Sequence, residues 1–274
     1  MTRNTLRRHA GNLALCASLL WSTPAALAAE AAAPFEPVSG QAGKDVVWVP
    51  TPGEMVERML DLAAVTPQDF VIDLGSGDGR NVIAAAKRGA RALGVEFNPD
   101  MVALSERNAK AAGVAGRAQF VQGDMFEADI SRATVMALFL LPDNLRRLTD
   151  KFVNLKPGTR IVANTFGIAG WNPDEMTQLG TTCYAWCSAM LYIVPAKVAG
   201  TWNLGNARLV LEQNFQELAG TLAEGGRQAP LSEAKLRGER ITFTVNGVRH
   251  EGTVSGDSMQ GKRQDGSSWS ARRG

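Results

Sequence analysis

The sequence has 274 residues, of which 45% are hydrophobic and 20% charged, with a formal net charge of +2. This length allows one large or two small domains with a proper core, and the composition is that of a globular protein. Residues 1–28 hold three arginines and no acids, so the rest of the chain has a formal charge of −1. The basic surplus therefore belongs to the N-terminus, and we expect no nucleic-acid partner.

Residues 1–28 have the layout of a secretory signal peptide. Three arginines precede an apolar run at residues 13–21, and Ala26 and Ala28 place small residues at −3 and −1. We predict cleavage near Ala28 and a periplasmic or secreted location. The apolar run is too short for an ordinary membrane helix, so no stable membrane span is expected. A surface helix is the alternative, but an Ala/Pro-rich linker at residues 29–45 follows instead of a partner helix.

After cleavage, the chain would contain two cysteines, Cys183 and Cys187, and one histidine, His250. That set excludes zinc sites built from Cys and His, and no metal is expected. An exported context permits a disulfide. On an extended strand, however, a C-x-x-x-C pair would be too far apart to close, so the spacing favours unpaired cysteines.

Residues 51–54, Thr-Pro-Gly-Glu, have the pattern of a helix N-terminus. Thr51 is predicted to cap the helix, with Pro52 at its first position and Glu54 completing a capping box. Met55 and Met59 begin the apolar face that follows.

Strands and helices then alternate, which predicts an α/β domain over residues 46–192. A strand, a helix and a strand in succession favour a parallel, doubly wound Rossmann-like sheet with helices on both sides. The predicted strands are residues 70–74, 90–96, 118–122, 134–141 and 160–166, and the predicted helices are residues 81–88, 99–112 and 144–155.

The pattern changes over residues 193–274. Residues 241–245 alternate with period two, and Asn246-Gly247 is a hairpin signal before a further strand at residues 248–254. We predict a small antiparallel β domain, a meander or barrel.

Three glycines follow the first predicted strand, in the segment V-I-D-L-G-S-G-D-G-R at residues 71–80. The spacing is G-x-G-x-G and not the dinucleotide G-x-G-x-x-G, and Asp73 lies inside the end of the strand. A pyrophosphate at a helix N-terminus is disfavoured by a neighbouring carboxylate. S-adenosylmethionine has no phosphate, and its ammonium and sulfonium suit acidic neighbours.

Two further acids lie at the ends of the next two strands. Glu96 is placed to accept hydrogen bonds from both ribose hydroxyls of a cofactor. Asp124 and Met125 follow the third strand, where a carboxylate and backbone amides could hold an adenine amine. Three acids at successive strand ends favour S-adenosylmethionine over a nicotinamide dinucleotide as the cofactor.

The motifs V-I-D-L-G-S-G-D-G-R, G-V-E-F-N-P and Q-G-D-M-F resemble those of class I S-adenosylmethionine-dependent methyltransferases. V-W-V-P-T-P, L-F-L-L-P and K-P-G-T-R-I-V are similar to a narrower group, which includes mitochondrial protein-lysine methyltransferases of the ATP synthase c subunit and the adenine nucleotide translocase. The resemblance covers roughly residues 46–173. It implies N-methyl transfer to a protein lysine or a small amine.

The resemblance also implies positions for the cofactor-binding residues. Asp73, Gly75 and Gly77 would lie along the methionine moiety, with Ser76 between the two glycines. Glu96 would lie at the ribose, followed by Phe97. The remaining candidates are Asp124 and Met125 at the adenine, and Pro50 and Thr51, which would help to close the pocket.

Catalytic candidates are few. The predicted α/β domain has no histidine, which excludes a histidine base, and it lacks the N-P-P-Y signature of amide and base-amine methyltransferases. Asp143 and Asn144 are the polar groups best placed to face an acceptor, although Asp143 could equally cap the next helix. Asn164 is the third candidate, where bacterial relatives often have a polar pair ending in Asp. The aromatic residues Trp171, Tyr184 and Trp186 either wall a channel or pack in the core.

The sequence leaves two other functions open. One is an exported S-adenosylmethionine-binding protein without catalysis. The other is a ligand-binding β domain on a Rossmann scaffold, suggested by Gly200-Thr-Trp202, which is similar to the G-x-W of lipocalins.

Overall fold

The computed structural model describes residues 1–2, 35–180 and 183–274. The predicted leader and its cleavage site therefore lie outside the described residues, apart from Met1 and Thr2. The described chain forms two β-sheets, the first accompanied by four helices. The helices are α1 (Gly53–Leu62), α2 (Arg80–Lys87), α3 (Pro99–Ala111) and α4 (Pro142–Phe152).

The first sheet has seven strands in the order β3-β2-β1-β4-β5-β7-β6. Its strands are β1 (Phe70–Leu74), β2 (Arg91–Glu96), β3 (Ala118–Gln122), β4 (Val135–Leu138), β5 (Arg160–Asn164), β6 (Glu175–Gln178) and β7 (Ser188–Ile193). The pairings among β1 to β5 are parallel, whereas β7 pairs antiparallel with both β5 and β6. The predicted parallel Rossmann-like sheet is confirmed.

Both faces of this sheet are buried, as the continuous apolar runs predict. On β1, Val71 belongs to one hydrophobic cluster with residues of α1 and α2. The next residue, Ile72, belongs to a second cluster with residues of α4. Successive side chains of a strand point to opposite faces, so helices cover the sheet on both sides.

The predicted helix cap at Thr51 is wrong. Helix α1 begins at Gly53 with Pro52 as its N-cap, and no side chain caps it. The Thr51 side chain is buried. Its hydroxyl lies 3.5 Å from Nδ2 of Asn164, at the end of β5, instead of turning back to the helix.

The second sheet has nine antiparallel strands and confirms the predicted β domain. Its strands are β8 (Gly200–Leu204), β9 (Ala207–Asn214), β10 (Glu217–Glu224), β11 (Arg227–Pro230), β12 (Ser232–Arg237), β13 (Arg240–Val245), β14 (Val248–Ser255), β15 (Ser258–Arg263) and β16 (Ser268–Arg273). β10 pairs with β9, β11 and β12, the strands from β12 to β16 pair in sequence, and β8 pairs with both β16 and β9. These pairings close the sheet into a barrel, with β11 left at an edge beside β10.

The barrel is filled by side chains. Trp202 is fully buried, its Nε1 donates to the Val198 carbonyl at 2.8 Å, and the Arg273 guanidinium lies 4.4 Å from the centre of its ring. Trp269 packs over Gly252, where a Cβ would lie 2.5 Å from the indole. The predicted hairpin turn is confirmed, because Asn246 and Gly247 have φ of 51° and 76°, the left-handed values of a two-residue turn.

Trp171 joins the two sheets. Its ring lies 4.8 Å from that of Phe215, which precedes β10, and 5.5 Å from that of Tyr192 on β7. Trp171 is buried, so it packs between the two halves instead of walling a channel. Across the described residues, no helix is both long and apolar enough to cross a bilayer.

Candidate active site

The glycine-rich turn lies between β1 and α2. Gly75, Gly77 and Gly79 have φ of 69°, 56° and 83°, a left-handed backbone that favours glycine. A Cβ at Gly77 would lie 2.7 Å from Nε1 of Trp48, so close packing also requires glycine there. β1 and β4 are adjacent in the sheet, and the strand order reverses between them. Ligands of open α/β sheets bind at such a switch point, beyond the carboxyl ends of the strands.

Two adjoining pockets open at this turn. Gly75 and Glu96 line both of them. All ten predicted cofactor-binding residues lie along them. Pro50, Thr51, Asp73, Ser76 and Gly77 line the first pocket, Phe97, Asp124 and Met125 line the second, and Gly75 and Glu96 lie where they meet.

Glu96 is held by two backbone amides. Its Oε2 accepts from the N–H of Gly77 at 2.9 Å, and its Oε1 accepts from the N–H of Asn98 at 3.0 Å. The residue is only 9% exposed. Each carboxylate oxygen keeps a further lone pair, so Glu96 can still accept from a ligand at the junction of the pockets.

Asp73 is a buried carboxyl in the first pocket. Burial raises its pKa well above the ordinary value; the hydrogen bond from Asn81 opposes this rise, and the charges of Glu96 and Asp78 add to it. Nδ2 of Asn81 donates to Asp73 at 3.1 Å, while Oδ1 of Asn81 and Oγ of Ser76 are buried without a partner among the described residues. Acceptors that a buried site leaves unpaired fit a cationic, hydrogen-bonding ligand. The ammonium of S-adenosylmethionine is such a group.

Asp124 and Lys44 form an ion pair at the second pocket. The hydrogen bond from Lys44 lowers the pKa of Asp124, and the same bond raises the pKa of Lys44. The Lys44 ammonium also lies 4.9 Å from the centre of the Phe97 ring. Asp124 stays ionised and able to accept from an adenine amine.

An N-terminal strap, residues 38–48, covers both pockets. The Gly40 N–H donates to the Trp48 carbonyl at 2.9 Å, and the Trp48 N–H donates to the Gln41 carbonyl at 2.8 Å. The Gly43 N–H donates to the Val46 carbonyl at 2.7 Å. The strap overlaps the linker predicted at residues 29–45. Its signal in the sequence was a glycine turn followed by the apolar run V-V-W-V. Apart from Asp45 and Lys44, its pocket-lining residues carry no charge: they are Gln41, Ala42, Gly43, Val46, Val47 and Trp48.

Arg80 connects the residues that follow the strap to the glycine turn, a role that the sequence motifs did not predict. Its Nε donates to Asp78 at 2.9 Å, and its Nη1 donates to the carbonyl of Thr51 at 2.5 Å. Because Arg80 opens α2 directly after the turn, one guanidinium fixes two walls of the first pocket.

The three predicted catalytic residues do not line either pocket. Asp143 is exposed and pairs with Arg146 at 2.6 Å, and α4 has no side-chain cap, so Asp143 does not cap it either. Asn144 is buried and donates to the carbonyl of Asp45 at 3.0 Å, which anchors the strap. Their catalytic roles stay predictions, and this placement favours a surface role for Asp143 and a structural one for Asn144.

Asn164 lies behind the first pocket. It is 0% exposed, its Oδ1 accepts from the Thr165 hydroxyl at 2.9 Å, and its Nδ2 faces the hydroxyl of Thr51. Thr165 has a φ of 61°, which is rare for a β-branched residue and is often associated with functional sites. Asn164 therefore reaches the pocket through Thr51, and its own catalytic role stays a prediction.

Cys183 and Cys187 form a disulfide, so the expectation of unpaired cysteines is wrong. The pair precedes β7 and lies in a loop, where the Cα atoms are 5.9 Å apart. Trp186, between the two cysteines, contacts Phe139 and Phe166. Phe139 lines the first pocket. No group of three or more His, Cys, Asp or Glu side chains in the described residues is arranged to hold a metal ion.

Comparisons with known proteins agree with this geometry. Residues 73–175 match the family of the ANTKMT methyltransferase domain. A protein-lysine N-methyltransferase of Saccharolobus islandicus is 47% identical over 137 residues, which are 49% of this chain and 85% of that protein. The mouse lysine N-methyltransferase of the ATP synthase c subunit is 32% identical over 64% of this chain and 69% of that protein. The crystal structure of an RNA methyltransferase from Salinibacter ruber with S-adenosyl-L-homocysteine is 45% identical, with a TM-score of 0.51, and the match covers 55% of this chain and 96% of that one.

A glycine turn at the switch point, with acids at three successive strand ends, defines an S-adenosylmethionine-dependent methyltransferase. When bound, the methyl donor supplies an electrophilic methyl group, and the pocket residues would hold and orient the donor. The similarity to the Saccharolobus islandicus enzyme and the family match then place the protein more narrowly. The chain belongs to the ANTKMT methyltransferase family. Its barrel, β8 to β16, lies beyond residues 73–175, the range that matches the family.

Proposed function

We propose that this enzyme methylates the amine of protein lysine side chains. The observation that carries the proposal is the acidic lining of the two pockets. Among the residues that the structure describes, five acidic and two basic side chains line them. The acids are Asp45, Asp73, Asp78, Glu96 and Asp124, and the bases are Lys44 and Arg80. An acidic site attracts an ammonium acceptor and repels a phosphate backbone.

The names of the relatives support the same acceptor. Those from Saccharolobus islandicus and mouse are lysine N-methyltransferases. A lysine must lose its proton before its nitrogen can attack, which from a reference pKa near 10.4 costs about 4–5 kcal/mol at neutral pH. A partly desolvated mouth beside Phe139 would lower that pKa, because burial disfavours the charged amine.

The Salinibacter ruber relative is an RNA methyltransferase, which makes RNA the second candidate acceptor. The experiment that separates the two is to incubate the protein, produced as residues 29–274, with methyl-labelled donor and an envelope protein extract or total RNA. Lysine-labelled protein, identified by mass spectrometry, is the expected product. Label confined to RNA, or to a small amine in the extract, would overturn the lysine proposal.

We also propose that the protein acts outside the cytoplasm, in the periplasm or as a secreted enzyme. The signal-peptide layout of residues 1–28 supports this location. The Cys183–Cys187 disulfide supports it independently, because such bonds persist in oxidising compartments.

A further inference from the structure

We infer that Trp186, held by the Cys183–Cys187 disulfide, is a specificity-determining residue that walls the entrance for the acceptor lysine. This inference rests on the proposed function and extends it to the side chains that receive the acceptor. It concerns a loop of five residues just before β7, outside the cofactor-binding motifs.

Three aromatic rings meet at this entrance. The centroid of Trp186 lies 5.3 Å from that of Phe139 and 6.0 Å from that of Phe166, and the two phenylalanine rings lie 6.3 Å apart. All three side chains are half-buried, so part of each ring stays accessible. We call Phe139, Phe166 and Trp186 the aromatic wall.

The aromatic wall adjoins the first pocket at the ends of two strands. Phe139 directly follows β4 and lines the first pocket with Asp73 and Gly75. Phe166 lies two residues beyond Asn164, the last residue of β5. Trp186 reaches the same place from a different part of the chain. An acceptor that approaches the methyl group from this side must therefore pass the indole.

The disulfide explains how an exposed loop can hold an indole in one position. Trp186 has a φ of 61°, a left-handed conformation that a non-glycine residue adopts at a cost. The bond closes a short ring around it, and Cys183 and Cys187 pack against the core cluster beneath the loop. A short covalent ring leaves the loop few alternative conformations. Breaking the disulfide would therefore release Trp186 from its contacts with Phe139 and Phe166.

Lysine is the occupant that suits these rings. Its aliphatic stem can pack along the aromatic faces while the ammonium interacts with their π-electrons, an attraction that also serves methylated amines. The acidic pockets beyond the wall favour the same charge. A nucleic-acid base could stack on such rings, but its phosphates would face the acidic lining.

The test measures methyl transfer to poly-L-lysine and to the envelope extract at graded acceptor concentrations, together with donor affinity by calorimetry. For Trp186→Ala we expect the acceptor KM to rise about fivefold or more, since an aromatic partner of the amine is lost. Trp186→Phe should stay within about twofold of the wild type because it keeps a ring. Donor affinity should be unchanged in both, which also shows that they fold.

The disulfide gives a second arm. Reduction of the wild type by excess dithiothreitol converts the bond to two thiols as the reagent is oxidised to its cyclic disulfide, and it should raise the acceptor KM in the same direction. The double substitution Cys183→Ser, Cys187→Ser should do so without reductant. Tyr184→Ala is the matched control. Tyr184 lies in the same disulfide-closed loop, but it is 98% exposed and is not part of the aromatic wall.

An unchanged acceptor KM in both Trp186→Ala and the double serine variant would overturn the inference and leave the proposed function standing. An equal rise in Tyr184→Ala would also overturn it, because the loop would then act as a docking surface. If Trp186→Ala no longer binds the donor, the same test is made with Trp186→Leu, which keeps the apolar volume without a ring. An unchanged acceptor KM in Trp186→Leu would then overturn the inference. A wild type that methylates no protein lysine would remove the proposed function and the inference together.

Discussion

The Oε2 atom of Glu96 accepts the backbone N–H of Gly77 at 2.9 Å, so the glycine turn and the acid at the end of β2 fix each other. Because the same carboxylate faces the predicted ribose site, its loss should remove ligand contacts and loosen the turn. We expect Glu96→Ala to bind S-adenosylmethionine about tenfold more weakly or worse, measured by calorimetry, since two hydrogen bonds vanish.

Glu106→Ala is the control for this charge change. Glu106 lies exposed on α3, away from both pockets, and its removal should leave donor affinity unchanged. Equal affinity in Glu96→Ala and the wild type, or a preference of the wild type for NAD, would contradict the assignment of the site.

Asp73 gives a prediction in which stability and binding change in opposite directions. Its pKa is raised by burial, so the unliganded fold is favoured while Asp73 is protonated and loses stability as the pH rises through the raised pKa. Asp73→Asn mimics the protonated form. We therefore expect the variant and the wild type to unfold alike below the ordinary pKa of an aspartate, and the variant to be the more stable near neutral pH.

Donor binding should respond the other way. A cationic ligand lowers the pKa of Asp73, so the wild type should release protons on binding, which calorimetry in two buffers of different ionisation enthalpy detects. Asp73→Asn should lose this proton release and bind the donor more weakly. Asp150→Asn, an exposed acid on α4, is the control. If Asp73→Asn were less stable than the wild type at neutral pH, burial would not be the effect that determines the pKa of Asp73.

The sequence predicted what local pattern determines. The bounds of β1 and β3 are as expected, because apolar runs between turn residues specify them. The predicted cofactor-binding acids Asp73, Glu96 and Asp124 follow from their positions at strand ends, since parallel strands bring their carboxyl ends to one edge. Pro50 and Thr51 were predicted from the family resemblance instead. The strap and the disulfide loop could not be found this way. Asn144 meets the Asp45 carbonyl across 99 residues, a contact set by tertiary packing, and the cysteines lie in a loop and not on the strand assumed for them.

Arg80 tests whether the link between the strap and the glycine turn matters for the donor. Its guanidinium holds Asp78 with two nitrogens and the Thr51 carbonyl with a third, a geometry that a lysine cannot reproduce. We expect Arg80→Lys to weaken donor affinity by about fivefold, because one or two charge-assisted hydrogen bonds are lost. The acceptor KM should stay unchanged, since Arg80 is not part of the aromatic wall.

Arg88→Lys is the matched control for that exchange. Arg88 directly follows the same helix and pairs with Glu57 and Asp61 on the surface, away from both pockets. Donor affinity should be the same as in the wild type. If both lysine variants bind the donor as well as the wild type does, the strap closes the pocket without help from Arg80.

The leader prediction joins location to the supply of the methyl donor. S-adenosylmethionine is made in the cytosol and is charged, so it should not cross a membrane unaided, and an enzyme exported unfolded would arrive without it. We expect residues 1–40, fused to a reporter active only outside the cytoplasm, to give activity and to be cleaved near Ala28, as mass spectrometry of the mature N-terminus would show. Arginines in place of Leu19 and Leu20 should abolish both, because the apolar run is interrupted.

Two observations separate the possible routes of export. Arg7-Arg8 allows a twin-arginine route, in which the protein folds around its ligand first, but the following His-Ala-Gly lacks the hydrophobic residues expected there. The ordinary secretory route is therefore the prediction, and periplasmic protein should be recovered free of donor and with its disulfide formed. Full-length, uncleaved protein with reduced cysteines in the cytosol would contradict export. The enzyme would then meet its methyl donor where the donor is made.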